Sequence, residues 1–243
     1  LRKLGGATPP SPNTAKIHPN RVARRIVRMS KMPSDKKFSR AVIREYRTLR
    51  KMIPKYSSFS DAFTLDEINL ALAQSKTGKA AGEDGVYMEF LINAGTNVRN
   101  WLAKFLTNVM TSNILPTAFK RAKIIALLKP GKPTENADSY RPVALLSVVL
   151  KLFERLIYNR IEDTIQQSIP PEQAGFRAGR SCTDQVLCLT NFIETGYQKR
   201  LKTGVVFVDL TAAYDTVWKK GLLLKLLRII PCLTICDLLC NML

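Results

Sequence analysis

A wholly apolar run, Val205-Val-Phe-Val208, ends abruptly in a carboxylate, Asp209. Small residues follow (Thr211, Ala212, Ala213), then Tyr214 and Asp215, and an apolar-periodic segment resumes. The run reads as a buried strand, the gap as a turn and Asp215 as the N-cap of a helix. A carboxylate at the end of such a strand can hold a divalent cation, and the turn beside it can meet a phosphate. It can equally be a turn residue or half of a buried ion pair, because structural pairs also perturb carboxylates.

Two other stretches carry complementary chemistry. Arg121 to Lys129 is an apolar, β-branched run with basic ends, turned by Pro130-Gly-Lys-Pro133. A second run, Ser139 to Ser147, completes a hairpin that brings Lys129, Lys132 and Arg141 near one another. Such cations can clamp a triphosphate or serve as edge charges that block strand pairing. Glu172 to Gln185 sets Gln173, Phe176, Arg177 and Arg180 among glycines. An amide, a stacking ring and guanidinium groups suit a nucleic-acid base and its backbone.

The elements that must position these groups follow from periodicity and caps. A basic, amphipathic helix is expected from Lys36 to Lys51, with Arg40, Arg44 and Arg47 on its polar side. Thr64-Leu-Asp-Glu67 is a capping box that opens a short helix. Residues 76–85, with glycines at 78, 82 and 85 and lysines at 76 and 79, form a positive loop. The loop lacks the Gly-Lys-Ser/Thr ending of a Walker A motif, and an ordinary turn remains the plainer reading. Helices are expected over Val86–Ala94 and Val98–Met110, anchored by Phe90, Trp101 and Phe105. A strong amphipathic helix spans Val148 to Gln167, with Leu152, Phe153, Leu156, Ile157 and Ile161 as its stripe. Ser181 caps a helix running to about Lys199, whose apolar face carries Val186, Leu187, Leu189, Thr190 and Ile193. A leucine-rich helix from Thr216 to Ile230 and another toward Leu243 complete the chain.

The 243 residues carry 38 basic and 19 acidic side chains, a net charge of +19. Sixteen of the basic residues lie between Leu1 and Lys55, opposed only by Asp35 and Glu45, so that segment carries +14. A polyanion, nucleic acid by default, is the implied partner. Phosphates held there would be bound without sequence readout and released by salt. A solvated basic face or a nuclear-import signal explains the same charges. No apolar run approaches 18 residues, so no membrane span is expected. Both ends read as cut from a longer polypeptide. Five cysteines without a Cys-x-x-Cys pair, and His18 as the lone histidine, disfavour a zinc finger and a histidine-dependent hydrolase. The odd thiol count suits a reducing, intracellular setting. Cys232, Cys236 and Cys240 recur as small hydrophobes of one helix stripe.

In order along the chain, Lys79-Ala-Ala-Gly-Glu-Asp-Gly-Val86, Ile124 to Lys132, Ser139 to Ser147 with Lys151-Leu-Phe-Glu-Arg155, Gln173-Ala-Gly-Phe-Arg-Ala-Gly-Arg-Ser181 and Phe207 to Asp215 resemble the reverse transcriptase domain of non-LTR (LINE-type) retrotransposons, most nearly the Jockey-like elements. The resemblance covers roughly Phe63 onward. It implies an α+β, right-hand polymerase fold. Residues 1–62 would be a basic connector, 63–200 the fingers with adjoining template-binding helices, and 201–243 the first strand and helices of the palm. The thumb and the second half of the palm would lie outside these residues.

Asp209 would be the first catalytic carboxylate, with the Leu210 carbonyl as a further ligand to two Mg2+ ions (Mn2+ as substitute). Lys129, Arg141, Thr211, Ala212 and Ala213 would contact the nucleotide, and Tyr214 would close against a ribose 2′-hydroxyl. Lys79, Gly82, Gln173, Gly175, Phe176, Arg177 and Arg180 would face the template. The implied partners are an RNA template, a DNA primer or target DNA and deoxynucleotides, with an element-encoded RNA-binding protein and endonuclease domain. The implied setting is a ribonucleoprotein in nucleus and cytoplasm. Glu83 stands where the family has proline or another uncharged residue. The aromatic-Ala-Asp-Asp hairpin that supplies the family's second carboxylates is missing, and one aspartate cannot hold two ions. The chain by itself is therefore expected not to polymerise. The alternative is a non-catalytic nucleic-acid-binding remnant of a decayed element.

Overall fold

In this computed structural model, which describes residues 18–29, 35–210, 213–214 and 216–243, the side chains of Asp35, Thr64, Ser147 and Ser181 cap α-helix starts, whereas the helix expected from Thr216 begins only at Lys219, after Trp218 and without a side-chain cap. Helix α1 spans Pro19–Met29 and α2 spans Lys36–Met52, the latter capped by the Asp35 carboxylate on the Lys37 and Phe38 amides. In α3 (Leu65–Ala73), Thr64 and Glu67 bond reciprocally, as the capping box requires. Helices α4 (Met88–Ile92), α5 (Thr96–Ser112) and α6 (Val148–Ser168) follow. Ser181 and Asp184 form a second capping box ahead of α7 (Cys182–Gln198). The chain closes with α8 (Lys219–Ile229) and α9 (Leu233–Met242). Among the described residues no helix is long and apolar enough to cross a membrane.

Among the described residues the strands make one antiparallel pair, β1 (Lys123–Leu128) with β2 (Tyr140–Leu145). Lys123 lies opposite Leu145, and Leu127 opposite Arg141. The mixed architecture is thus mainly helical with one small sheet.

The core lies where α3, α5 and α6 meet. Ile68, Leu106, Met110, Leu152, Phe153 and Leu156 are fully buried there, and Leu227, Ile230, Ile235 and Leu238 bring α8 and α9 into the same cluster. The apolar side of α2 joins it through Tyr46 and Leu49. Three polar ties fix α2 and the segment after it to the last two helices. Arg50 forms a bidentate pair with Asp237, Arg228 pairs with Glu45, and the Lys55 carbonyl accepts from Thr234 Oγ1 at 2.7 Å.

Arg160 of α6 closes the centre. Its side chain is one-tenth exposed, and it meets both Glu67 oxygens at 2.7 and 2.9 Å. The same guanidinium donates to the carbonyls of Phe59 (3.0 Å), Asp61 (2.6 Å) and Ala62 (3.1 Å). It also stands 4.1 Å from the Phe63 ring centroid. Burial works to raise the Glu67 carboxyl, but bonds from Arg160 and Thr64 outweigh it and hold the group below its ordinary range.

Several sequence expectations change. Val205 to Val208 is not a buried strand: residues 201–210 have no regular secondary structure, and Val206 is 87% exposed. A strand needs a neighbour for its amides and carbonyls, and no described strand lies beside it. The apolar side of α7 is likewise uncovered, with Val186, Leu187 and Ile193 exposed. Capping suffices to start that helix, whereas burying its face requires a surface that no described element provides. Phe90 and Trp101 are exposed rather than anchoring; Trp101 stacks on Phe105 (5.1 Å), which packs against Phe119. Cys232 and Cys236 are buried as expected, and burial pushes the Cys236 thiol up to about 12, whereas Cys240 is exposed.

Replacing Arg160 by Met leaves Glu67 and three carbonyls without their shared donor. Urea unfolding of Arg160→Met is expected to show a loss of about 3–5 kcal/mol, as for breaking a buried ion pair.

Candidate nucleotide and template site

The β1–β2 hairpin is held from outside the core. Tyr140 is buried against Val22 of α1, and its hydroxyl donates to the Thr134 carbonyl at 2.9 Å. Arg25 of α1 pairs with Asp138 and donates to the Ala137 carbonyl at 3.2 Å. The Lys129 amide extends the ladder to the Ser139 carbonyl (2.7 Å), and Gly131 turns the loop at φ +70°. Lys129 Nζ is spent on the Asp138 carbonyl at 2.8 Å. Arg141 is exposed and makes no ion pair among the described residues. Of the two expected triphosphate contacts, Arg141 is therefore the free cation and Lys129 the tethered one.

The loop before α7 is braced by Arg177. Its Nε donates to Gln166 Oε1 at 3.0 Å, and its guanidinium also donates to the Pro170 and Gln173 carbonyls. Gln173 Nε2 donates to the Gly175 carbonyl at 3.2 Å. Gln173 and Arg177, expected to face a template, are here partly committed to shaping their own loop. Phe176 is thereby left 92% exposed at φ +60°, a left-handed conformation that bulky residues rarely adopt. Arg180 is exposed.

Phe176 meets Tyr214 edge-to-face, with ring centroids 6.0 Å apart at 83°. This contact joins the 173–180 loop to the stretch carrying Asp209. Asp209 and Leu210 are exposed, and Ala213 and Tyr214 lie in a turn. Thr211, Ala212 and Asp215 fall outside the described residues. No hydrogen bond, ion pair or ring contact links the hairpin cations to Asp209 among the described residues. The Asp209 carboxylate and Leu210 carbonyl are hard oxygen donors of the kind a divalent cation takes. No group of three metal-ligating side chains gathers among the described residues, so they do not form a two-ion site.

Residues 128–238 match the family model for reverse transcriptase (RNA-dependent DNA polymerase). Over 169 residues, 69% of the chain, the sequence is 36% identical to the probable RNA-directed DNA polymerase from transposon BS of Drosophila melanogaster. It is 34% identical over 168 residues to the RNA-directed DNA polymerase from mobile element jockey of Drosophila funebris, and 35% over 173 residues to that of Drosophila melanogaster. The chain belongs to the reverse transcriptases of non-LTR retrotransposons. The matched part is 18–19% of the length of these curated relatives.

Within the reverse transcriptase match lie Lys129, Arg141, the 173–180 loop and the Asp209–Tyr214 stretch; Lys79 and Gly82 lie before it. Gly82 is a packing residue here. A Cβ on it would stand 2.8 Å from the Leu146 carbonyl carbon and the Ser147 nitrogen, where β2 passes into α6. Lys79 instead lines a cleft of about 550 Å³ with Lys76, Lys151, Glu154, Arg155 and Tyr158. Burial pushes the Glu154 carboxyl up, against the pull of Lys151. Periodicity alone assigns Lys151 and Arg155 to the polar side of α6, and only the folded chain shows them sharing a cleft with the glycine loop.

Gly82→Ala must push the loop off the Leu146–Ser147 backbone. Thermal or urea unfolding is expected to register a loss of about 1–3 kcal/mol, the usual cost of overpacking.

Proposed function

We propose that the whole protein is an RNA-directed DNA polymerase that extends a DNA primer on its element's RNA, and that this chain supplies the nucleotide- and template-facing part. The observation that carries the reading is the Phe176–Tyr214 contact, which sets the template-loop ring against the ring five residues after Asp209. We read residues 1–62 as a connector, 63–200 as fingers with adjoining helices, and 201–243 as the start of the palm.

The roles follow from the chemistry of each group. Arg141, free on the hairpin, holds the triphosphate; Lys129 joins it by exchanging the Asp138 carbonyl for a phosphate oxygen. Tyr214, backed by Phe176, closes against the ribose 2′-position and so favours deoxynucleotides. Phe176 and Arg180 meet the template base and its backbone, while Arg177 holds the loop. Reverse transcriptase domains are generally dependent on divalent metal. For this one, Mg2+ is the proposed ion, held by Asp209 and the Leu210 carbonyl together with carboxylates outside this chain. When bound, the ions activate a 3′-hydroxyl and stabilise the departing pyrophosphate. The substrates are an RNA template, a DNA primer and deoxynucleotides, and the proposed setting is a ribonucleoprotein moving between cytoplasm and nucleus.

Primer extension on RNA by the whole protein tests this. Asp209→Asn is expected to lower extension on the order of 10³-fold or more, about 4 kcal/mol of transition-state stabilisation, while RNA binding persists. Wild-type extension by that variant contradicts the metal role. Tyr214→Ala is expected to admit ribonucleotides, and Phe176→Ala to do so to a smaller degree; unchanged sugar discrimination in both removes the gate.

A further inference from the structure

Helix α2 divides its surface three ways. Val42, Tyr46 and Leu49 turn to the core. Arg50 and Glu45, on its flanks, are consumed by Asp237 and Arg228. At 3.6 residues per turn, Arg40, Arg44, Arg47 and Lys51 fall within about 60° of one another on the remaining side. All four are exposed, and no described carboxylate pairs with them. With Ile43 and Thr48 they line an open groove of about 480 Å³.

We propose that this face of α2 is a binding site for the phosphate backbone of double-stranded nucleic acid, separate from the nucleotide and template groups described above. The four cations are strung over twelve residues, about 16 Å at 1.5 Å per step. That spread cannot converge on a single phosphate, and it matches an extended polyanion. Single strands are held by cations interleaved with aromatic rings, and no aromatic side chain lines this groove. A helix that grips a membrane surface must offer its apolar face to the lipid, and the middle of the apolar face of α2, through Val42, Tyr46 and Leu49, is spent on the core, while Phe38 lies against Trp218. What remains is a charged rail that recognises backbone rather than sequence. Because Arg50–Asp237 and Glu45–Arg228 tie the rail to α9 and α8, it is preformed and moves with them.

The test is equilibrium binding of the chain to a blunt 20-base-pair DNA duplex across a KCl series, with no polymerisation step, so that it is decided independently of activity. Each lost phosphate contact lowers the slope of log K against log salt by about 0.9 for B-DNA. The Arg40→Gln, Arg44→Gln, Arg47→Gln, Lys51→Gln variant is expected to lose about 3–4 from that slope, and to weaken duplex binding more than binding of a single strand of equal length. Thermal unfolding checks that the variant is folded. Should it fail to fold, Arg47→Gln and Lys51→Gln singly are each expected to remove about 0.9. An unchanged slope in a folded variant overturns the proposal. So does equal weakening on single strands, or loss of binding confined to phosphatidylserine vesicles.

Discussion

The Arg160 guanidinium is the interaction on which the arrangement depends. It is nearly buried, yet every donor direction is used: two contacts to the Glu67 carboxylate and three to carbonyls between Phe59 and Ala62. A buried charge is costly unless it is paired and hydrogen-bonded, and here both conditions are met. The consequence is geometric. The turn before α3, the start of α3 and the middle of α6 are drawn to one point, with Phe63 beneath the cation. Gly82 then lies against the α6 entrance, which fixes the glycine loop relative to the end of β2. The hairpin that carries Arg141 leads directly into α6, so its base is placed by the same centre.

Away from that centre the chain keeps surfaces that chemistry has not yet occupied. Residues 205–210 lie exposed without regular secondary structure, and the apolar face of α7 is uncovered by any described element. Arg141 and the outer side of α2 hold cations that make no ion pair among the described residues. The Phe176–Tyr214 contact is made by two highly exposed rings, one on a strained backbone. Backbone strain of that kind is retained where the surroundings impose it; the bonds from Arg177 to the loop carbonyls supply the constraint.

Much of this was legible in the residues. The Thr64–Glu67 capping box, the Ser181 cap, the α2 and α6 spans and the hairpin rest on local chemistry and periodicity, and these reappear within a few residues. The motif order pointed to the family that the comparisons support. What could not be read is non-local. Periodicity puts Arg160 on the edge of the α6 stripe but cannot say that the carbonyls near residue 60 will arrive there. The Arg50–Asp237 pair joins residues 187 apart. Gly82 read as a template contact because glycine also permits ligand approach, and here the close approach is to its own backbone. Val205 to Val208 reads as buried because apolar runs usually are; burial depends on neighbouring strands, which a local run cannot specify.

Asp209 is proposed to hold a divalent cation beside the Tyr214–Phe176 pair. Iron-directed backbone cleavage is the most direct measurement of it: Fe2+ and ascorbate are supplied to the whole protein bound to a template–primer, and the cut positions are mapped. Cleavage is expected around residues 208–216 and in the 173–177 loop, and Asp209→Asn is expected to abolish it. Cleavage that falls elsewhere, or that persists unchanged in Asp209→Asn, contradicts the account.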